Sequence, residues 1–337
     1  MDSTLGLSLD VWPVDRRYQG VPVLVTGGLG FLGANLVISL VRSGARVRVL
    51  ASRRSYEYRL QSGPAGLLRG VECFVGSVAA VPLLEKAVRG CAVVFNLAGR
   101  SDVGASSSEP VEDLELNARP QLLLLEACRR WAPDAMVVLA SSRLVYGATE
   151  SLPVPESTPL DPGSIYAVHK LLAERYHLLF RRLHGLRTIV LRLTNVYGPL
   201  EPPHRSGVMN VFLRRASEGH ELTVYGDGSQ LRDCVHVLDV AGAFLRAGPA
   251  REHDGAVLNV GSGGGVPLAD IAGTIGELAG VGVRSVPWPP GARVIEPGSF
   301  VADTRRIEEL LGWRPAVALA EGLAGTLAWH RSQRAGS

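Results

Sequence analysis

Three side chains near the middle of the sequence have the types and the spacing needed to move a proton at a hydroxyl group. Ser142 ends an apolar run, and Tyr166 follows 24 residues later with Lys170 four positions beyond it. Residues four apart share one face of a helix, which brings the phenol and the ammonium together. A free tyrosine has a pKa of about 10, and a nearby positive charge favours the phenolate. The triplet therefore predicts Tyr166 as the base, Lys170 as the group that lowers its pKa, and Ser142 as the group that orients the hydroxyl.

A glycine-rich turn earlier in the chain has the form of a dinucleotide-binding site. The run Val23-Leu-Val-Thr-Gly-Gly-Leu-Gly-Phe-Leu-Gly33 joins a predicted strand to a helix. Glycines keep such a turn tight and let backbone N–H groups approach a pyrophosphate at the positive end of the helix. The residues predicted to bind the cofactor here are Gly27, Gly30, Phe31, Leu32 and Gly33.

The end of the second predicted strand bears on the choice between NAD and NADP. NAD sites normally have an acidic residue there that binds the ribose hydroxyls, but this chain has Ala51-Ser-Arg-Arg54. A guanidinium pairs well with a 2′-phosphate, so Ala51 and Arg53 favour NADP. The alternative is an NAD site that lacks its usual acid and has two solvated arginines beside it.

Alternating apolar runs and helical stretches predict the scaffold that positions these residues. The pattern is typical of an α/β fold, a doubly wound parallel Rossmann sheet with a smaller α/β C-terminal domain for the substrate. Helices are predicted over 122–130 and 165–183, and both could contribute to a dimer face. The predicted strands cover 21–26, 46–50, 71–75, 93–98, 136–140, 188–193 and 257–260.

A change in composition along the chain also predicts its domains. Proline- and glycine-rich loops between shorter elements begin after Gly198. We predict an N-terminal extension over 1–19, a dinucleotide-binding domain over 20–196 with an interleaved part near 233–262, a substrate-binding domain over 197–330 and a tail over 331–337.

Composition argues against several other classes of protein. The 337 residues are 46% hydrophobic and 20% charged, and a net charge of +3 gives no basis for binding nucleic acid. The four cysteines lack disulfide or metal-ligand spacing, so we expect reduced thiols in a cytoplasmic protein without a metal site. The uncharged stretch 20–41 contains several glycines and is predicted as strand, turn and helix, not as a membrane span.

Further motifs resemble those of a known family. They are Asn96-Leu-Ala-Gly99, Asn117 before a leucine-rich helix, Ser141-Ser-Arg-Leu-Val-Tyr-Gly147, Arg192-Leu-Thr-Asn-Val-Tyr-Gly-Pro199, Gly226-Asp-Gly-Ser-Gln-Leu-Arg-Asp233 and Leu311-Gly-Trp-Arg-Pro315. Together with the glycine turn and the Ser, Tyr and Lys triplet, they make the chain from about 21 to 329 resemble the extended short-chain dehydrogenase/reductases. Within these, it is similar to the NDP-sugar epimerases and dehydratases, of the UDP-glucose 4-epimerase type.

This resemblance implies roles for more residues. Ser77 would lie near the adenine, where such proteins usually have Asp. Arg232 and Arg293 would hold the diphosphate of a UDP- or dTDP-hexose, because two guanidinium groups suit a pyrophosphate. Cofactor contacts are implied for Leu97, Ala98, Gly99, Asn117, Tyr166 and Lys170. Substrate contacts are implied for Ser142, Arg143, Asn195, Tyr225, Arg232 and Arg293, and Asp102 is expected to contact the sugar because its loop would face it.

The position two residues after the catalytic serine narrows the reaction. Family members that eliminate water or decarboxylate typically have Glu there, whereas this chain has Leu144, which cannot transfer a proton. The resemblance thus predicts an NDP-hexose 4-epimerase that oxidises C4 and reduces it again. Because of Ala51 and Arg53, an NADPH-dependent NDP-4-keto-sugar reductase remains an alternative. Further alternatives are a dehydratase, a uronate decarboxylase or epimerase, and a non-enzymatic dinucleotide-binding sensor.

The family resemblance also leads to expectations about the substrate class and the partners. A uronate is disfavoured, since the uronate 4-epimerases of this group often have Thr at the position of Asn195, although nearby arginines could pair with a carboxylate. No membrane or nucleic-acid partner is expected. A homodimer is expected from the family's paired-helix interface and from the apolar run 122–125.

Overall fold

A parallel sheet of seven strands forms the centre of the computed structural model, which describes residues 11–62, 67–202, 207–289, 296 and 298–335. From one edge to the other, the strands are β11 (Val257–Val260), β6 (Thr188–Leu193), β5 (Met136–Ser142), β4 (Val93–Asn96), β1 (Pro22–Thr26), β2 (Arg46–Ala51) and β3 (Glu72–Val75). The strand order reverses between β1 and β4. In such sheets, the crevice at the carboxyl ends of the strands on either side of the reversal is where ligands bind.

Helices from the first half of the chain cover the sheet. They are α1 (Phe31–Arg42), α2 (Arg53–Ser62), α3 (Val81–Val88), α4 (Val103–Ser108), α5 (Pro110–Asn117), α6 (Arg119–Trp131) and α7 (Ile165–His184). Because helices cover both faces, the central strands are mostly apolar, and no side chain of β4 or β6 is exposed.

The later part of the chain builds a second group of elements. It contains the strand pairs β7 (Asn195–Tyr197) with β10 (Cys234–His236), β8 (Leu222–Tyr225) with β13 (Val283–Val286), and β9 (Leu231–Arg232) with β12 (Val266–Pro267). Its helices are α8 (Val208–Ser217), α9 (Val237–Ala247), α10 (Leu268–Ala279), α11 (Arg305–Leu311) and α12 (Leu319–Ala335). Phe212, Leu222 and Ile271 belong to an apolar cluster of its own.

The chain then returns to the main sheet. Helix α9 packs against α1, and β11 pairs with β6 in the register Val257↔Val190. Helix α1 is buried between α9 and the sheet, which explains why its sequence is apolar on nearly every side.

Residues 11–19, part of the predicted extension, also pack on this half of the molecule. Trp12 and Tyr18 are fully buried. The indole Nε1 of Trp12 donates to Asn35 Oδ1 at 3.0 Å, and the Tyr18 hydroxyl donates to the carbonyl of Leu245 at 3.0 Å. This segment therefore ties α1 to α9. The rest of the extension, 1–10, lies outside the described residues.

The predicted α/β Rossmann fold is confirmed, and each predicted strand of the main sheet occurs within two residues of its expected ends. The four cysteines are free thiols. Within the described ranges, no helix is long and apolar enough to span a membrane. Within the apolar run 122–125, Leu124 and Leu125 are buried in the chain's own core beside α3, whereas Leu122 and Leu123 are half-buried.

Candidate active site

The predicted base and its neighbour lie on the first turns of α7. Ser164 caps the helix by accepting a hydrogen bond from the N–H of Ala167. Tyr166 and Lys170 are 7% and 8% exposed, and the ammonium nitrogen lies 5.8 Å from the centre of the tyrosine ring. Lys170 Nζ also donates to the carbonyl of Ala140 at 3.0 Å, on β5. That hydrogen bond fixes the ammonium beside the phenol.

Ser142 ends β5 and lies beside the same pair. Its Oγ accepts a hydrogen bond from the N–H of Leu144 at 3.2 Å and so caps the 3₁₀ turn Arg143–Tyr146. Ser142, Tyr166 and Lys170 all line one cavity of about 260 Å³. The structure therefore brings the three together as their spacing predicts.

A buried polar network holds the end of β5 in place. Glu174 of α7 accepts hydrogen bonds from Ser141 Oγ at 2.5 Å and from Arg192 of β6 at 2.7 Å and 3.0 Å. Arg192 also donates to the Tyr146 hydroxyl, which donates in turn to Asn259 Oδ1 on β11. Burial opposes the charge of Arg192, but the hydrogen bonds and charge of Glu174 outweigh it and raise the pKa of the guanidinium.

The glycine turn between β1 and α1 forms another wall of this cavity. Gly27 has φ +67°, which favours glycine, and a Cβ at Gly33 would overlap the carbonyl oxygen of Gly27. Gly30 precedes the first residue of α1, whose opening N–H groups have no partner within the helix. This arrangement suits the pyrophosphate of a dinucleotide.

A second loop faces the glycine turn across the cavity. Gly99 has φ +152°, and Asn117 holds the loop by accepting from the N–H of Arg100 and donating to its carbonyl, both at 2.9 Å. Asn117 also donates to Asp113, which pairs with Nδ1 of His169 at 2.7 Å. His169 is therefore a structural residue of α7, next to the reacting side chains but engaged elsewhere.

These walls together account for most of the predicted cofactor site. The nicotinamide and pyrophosphate parts of a dinucleotide would fit between the glycine turn and Lys170, since both elements are preformed and the glycines leave room for it. The predicted cofactor residues that line this cavity are Gly27, Gly30, Phe31, Leu32, Gly33, Leu97, Gly99, Tyr166 and Lys170.

A larger cavity of about 760 Å³ lies between the two groups of elements and shares Arg143, Leu144, Asn195 and Val208 with the first. Asn195 is fixed by donating to the carbonyl of Asp233 at 2.9 Å. The two cavities thus offer adjoining spaces, one beside the catalytic side chains and one beside the second group of elements.

The far end of the larger cavity carries an aromatic pair and a buried arginine. The rings of Tyr225 and Trp288 lie 5.7 Å apart, tilted by 39°, and Tyr225 is partly exposed. Arg232 is buried and forms an ion pair with Glu296. An aromatic face and a guanidinium suit the base and the diphosphate of a nucleotide.

Several predicted site residues do not line either cavity. Asn117 supports the Gly99 loop from behind, and Ala98 packs against Gly27. Asp102 caps α4 by accepting from the N–H of Ala105 at 2.9 Å. Arg53 and Ser77 are exposed at the ends of β2 and β3, and Arg293 lies outside the described residues.

The structure also places residues at the cavities that the sequence did not single out for the site. They are Thr194, Glu201 and Met209 in the smaller cavity and Trp288 and Glu296 in the larger one. The sequence around Trp288 could have pointed to the site, because a tryptophan among prolines on a loop needs a packing partner. No sequence pattern marked Glu296, since its pairing with Arg232 depends on the path of a loop 64 residues away.

The chain was compared with known families and proteins. The model described as the NAD dependent epimerase/dehydratase family matches residues 23–261. A UDP-glucose 4-epimerase of Mycolicibacterium smegmatis is 33% identical over 323 residues, which cover 92% of this chain and 98% of that protein. A dTDP-glucose 4,6-dehydratase of Streptomyces niveus is 31% identical over 325 residues, which cover 93% and 94% of the two chains. The structure of a UDP-glucose 4-epimerase of Thermus thermophilus in complex with NAD has a TM-score of 0.80 and 32% identity, covering 92% of this chain and 99% of that one.

Proposed function

Because this chain belongs to the NAD dependent epimerase/dehydratase family, we propose that it is an NDP-hexose 4-epimerase. The observation that carries the proposal is the meeting of Ser142, Tyr166 and Lys170 at one cavity, which adjoins a second cavity with the features of a nucleotide site. A UDP- or dTDP-hexose would place its base near Tyr225 and its C4 hydroxyl near Tyr166.

Each of the three side chains at the smaller cavity has its own role in the reaction at C4. Ser142 donates to or accepts from the C4 oxygen and holds the hydroxyl toward Tyr166. Tyr166, as phenolate, takes the hydroxyl proton while the C4 hydrogen leaves as hydride and a C4 ketone forms. The ammonium of Lys170 favours the phenolate through its charge. Return of the proton from Tyr166 and of hydride to the opposite face of C4 then inverts the centre.

A nicotinamide dinucleotide, when bound, supplies the acceptor and donor of that hydride. In this chain Gly27, Gly30 and Gly33 would hold its pyrophosphate, and Lys170 its nicotinamide ribose. Burial of Tyr166 and Lys170 keeps bulk water from the reacting atoms.

The surroundings of Ser142 support epimerisation over elimination of water. A dehydratase needs an acid and a base for the groups at C5 and C6, but the 3₁₀ turn after Ser142 opens with Arg143 and Leu144, and the hydroxyl of Tyr146 is hydrogen-bonded to Asn259 and Arg192. The carboxylates that line the cavities in the described residues are Glu201 and Glu296, and Glu296 is paired with Arg232.

A second candidate, an NADPH-dependent NDP-4-keto-sugar reductase, is favoured by Ala51 and Arg53 at the end of β2. It would use the same Ser142, Tyr166 and Lys170 in one direction only, with Tyr166 as the proton donor. The two functions differ in how the cofactor is handled, because an epimerase recycles one bound dinucleotide and a reductase consumes a fresh one in each turnover.

We also propose a homodimer, with α5 and α7 as its interface. Val111, Leu114 and Val168 are exposed apolar side chains on these two helices and line a shallow apolar pocket with Ile165. A second copy would cover this face by packing its own α5 and α7 against it.

The substitution Tyr166→Phe tests the proposed epimerisation. Removing the hydroxyl removes the proton acceptor, so we expect conversion of UDP-glucose or dTDP-glucose to its C4 epimer to fall by about 10²- to 10⁴-fold. Product formation is measured by chromatography, and binding of added dinucleotide is measured on the same variant and should be kept. Tyr176→Phe, on the same helix but outside both cavities, is the matched control. Undiminished turnover in Tyr166→Phe would contradict the mechanism.

A further inference from the structure

Arg143 is a buried cation that contributes to the walls of both cavities. Only 6% of its surface is exposed, and its Nη1 is buried with no hydrogen bond in the described part of the structure. Its guanidinium lies 5.2 Å from the centre of the Phe300 ring, which supplies a modest cation–π attraction. Burying a charge is costly unless a partner compensates for it. The ring alone does not provide the hydrogen bonds that a guanidinium requires.

The charges around Arg143 do not supply the missing partner. Burial, followed by repulsion from Arg232, lowers the pKa of Arg143 to about 10, so the side chain is still charged near neutral pH. The carboxylate of Glu296 is taken by Arg232. Asp233 turns away and accepts hydrogen bonds from the backbone of Ser262 and Ala302. Glu296 and Asp233 still favour the charged guanidinium through space, but in the described part of the structure neither forms a hydrogen bond with it, so Nη1 is left for a group that binds in the cavity.

The position of Arg143 indicates which part of a nucleotide sugar reaches it. It follows Ser142 directly in the chain and lines both cavities, whereas Arg232 lines only the larger one. In a hexopyranose, the carbon C5 that bears C6 is bonded to C4, and C1, which bears the diphosphate, lies across the ring. With C4 at Ser142 and the diphosphate toward Arg232, the groups nearest to Arg143 are those on C3 and C5, and the C6 substituent of C5 is the one that can be a carboxylate.

From this geometry, we propose that Arg143 binds a carboxylate at C6, so that the preferred substrate is a nucleotide-linked hexuronic acid. The inference rests on the proposed function, since it takes the two cavities as a nucleotide-sugar site. A carboxylate would give the guanidinium two parallel hydrogen bonds and would neutralise its charge. It reverses the expectation drawn from Asn195, which disfavoured a uronate.

Binding of UDP-glucuronic acid, UDP-glucose and UDP to the purified protein tests this assignment by isothermal titration calorimetry. We expect the wild-type protein to bind UDP-glucuronic acid more tightly than UDP-glucose. In Arg143→Gln, we expect affinity for UDP-glucuronic acid to fall by about 10- to 100-fold, because hydrogen bonds between charged groups are lost. Affinity for UDP-glucose and for UDP should change by less than about threefold. Arg182→Gln, an exposed position at the end of α7, controls for the loss of one positive charge.

Two results would overturn the assignment. One is an equal loss of affinity for all three ligands in Arg143→Gln, which would mean that Arg143 holds the diphosphate. The other is a wild-type protein that binds UDP-glucuronic acid no more tightly than UDP-glucose. If Arg143→Gln fails to fold, the same titrations are made with Arg143→Lys, which keeps the positive charge but loses the planar pair of N–H donors. We expect it to lose about tenfold in affinity for the uronate alone, and an unchanged preference would overturn the assignment.

Turnover separates this inference from the proposed function. If the protein inverts UDP-glucose at C4 but does not prefer the uronate in binding, the proposed 4-epimerase function is supported and the proposed role of Arg143 is overturned. Uronate binding that depends on Arg143, without inversion at C4, would contradict the 4-epimerase and support the role of Arg143.

Discussion

At the scale of single residues, the end of β2 is where we expect the choice between NAD and NADP to be made. Ala51 has no carboxylate for the ribose hydroxyls, and the Arg53 side chain is 79% exposed with Glu57 3.8 Å away. An exposed ion pair of this kind contributes little, so a phosphate could displace Glu57 at small cost. The expectation of NADP rests on Ala51 and Arg53, whereas the family is described as NAD dependent and a Thermus thermophilus relative was solved in complex with NAD.

The substitution Ala51→Asp is expected to move the preference toward NAD. The new carboxylate would accept hydrogen bonds from the ribose hydroxyls and repel a 2′-phosphate, changing the ratio of NADH to NADPH affinity by about 10- to 100-fold. Fluorescence titration with the two reduced dinucleotides measures the ratio, and Ser62→Asp at the exposed end of α2 is the control.

Mass spectrometry of the nucleotide released by denatured wild-type protein complements this titration. An empty protein that prefers NADPH would favour the reductase. Stoichiometric NAD would contradict the preference for NADP and favour the epimerase.

At the scale of elements, the site depends on how β5, β6 and α7 are joined. Glu174 and Arg192 are almost fully buried and connect the helix that bears Tyr166 to the strand next to Ser142. The sequence could not predict this connection. The partners are 18 to 113 residues apart, and a Glu inside a helix or an Arg inside a strand is usually solvated. The glycine turn and the spacing of Tyr166 and Lys170 were predictable because both are local.

Breaking that connection should destabilise the protein strongly. Arg192→Met would leave the Glu174 carboxylate buried with only Ser141 as a partner, which should lower the free energy of unfolding by about 3–5 kcal/mol. Arg119→Met, which removes an exposed pair with Glu115, should cost less than about 1 kcal/mol. Urea denaturation followed by circular dichroism measures both. Equal stabilities for the two variants would show that the buried pair adds nothing.

At the scale of the whole molecule, the fold was predictable because strands and helices alternate along the chain, and this periodicity survives in the sheet order. The residues that line the two cavities were harder to predict from the sequence than the fold. Asp102 and Asn117 occur in motif positions, yet their side chains hold loops, since exposure to a cavity depends on packing between distant segments. The same limit applies within the run 122–125, where apolar character alone does not show that Leu124 and Leu125 belong to the core.

Val111→Asp tests the proposed interface. Val111 is 76% exposed on α5, so a charge there should barely alter the fold of one copy but should be costly between two. Sedimentation equilibrium should give a dimer for the wild-type protein and a monomer for the variant. Leu60→Asp, an exposed apolar position on α2, should remain dimeric. A monomeric wild-type protein would refute the interface.

The return of the chain to the main sheet has a consequence for its synthesis. Helix α9, which packs against α1, and strand β11, which pairs with β6, come about two hundred residues after α1 in the chain. While the ribosome is still making the intervening segment, the apolar side of α1 and the edge of β6 stay uncovered. The nascent chain must therefore pass through a long interval in which its dinucleotide half is open to chaperones or to misassembly, until the second half delivers the missing layer.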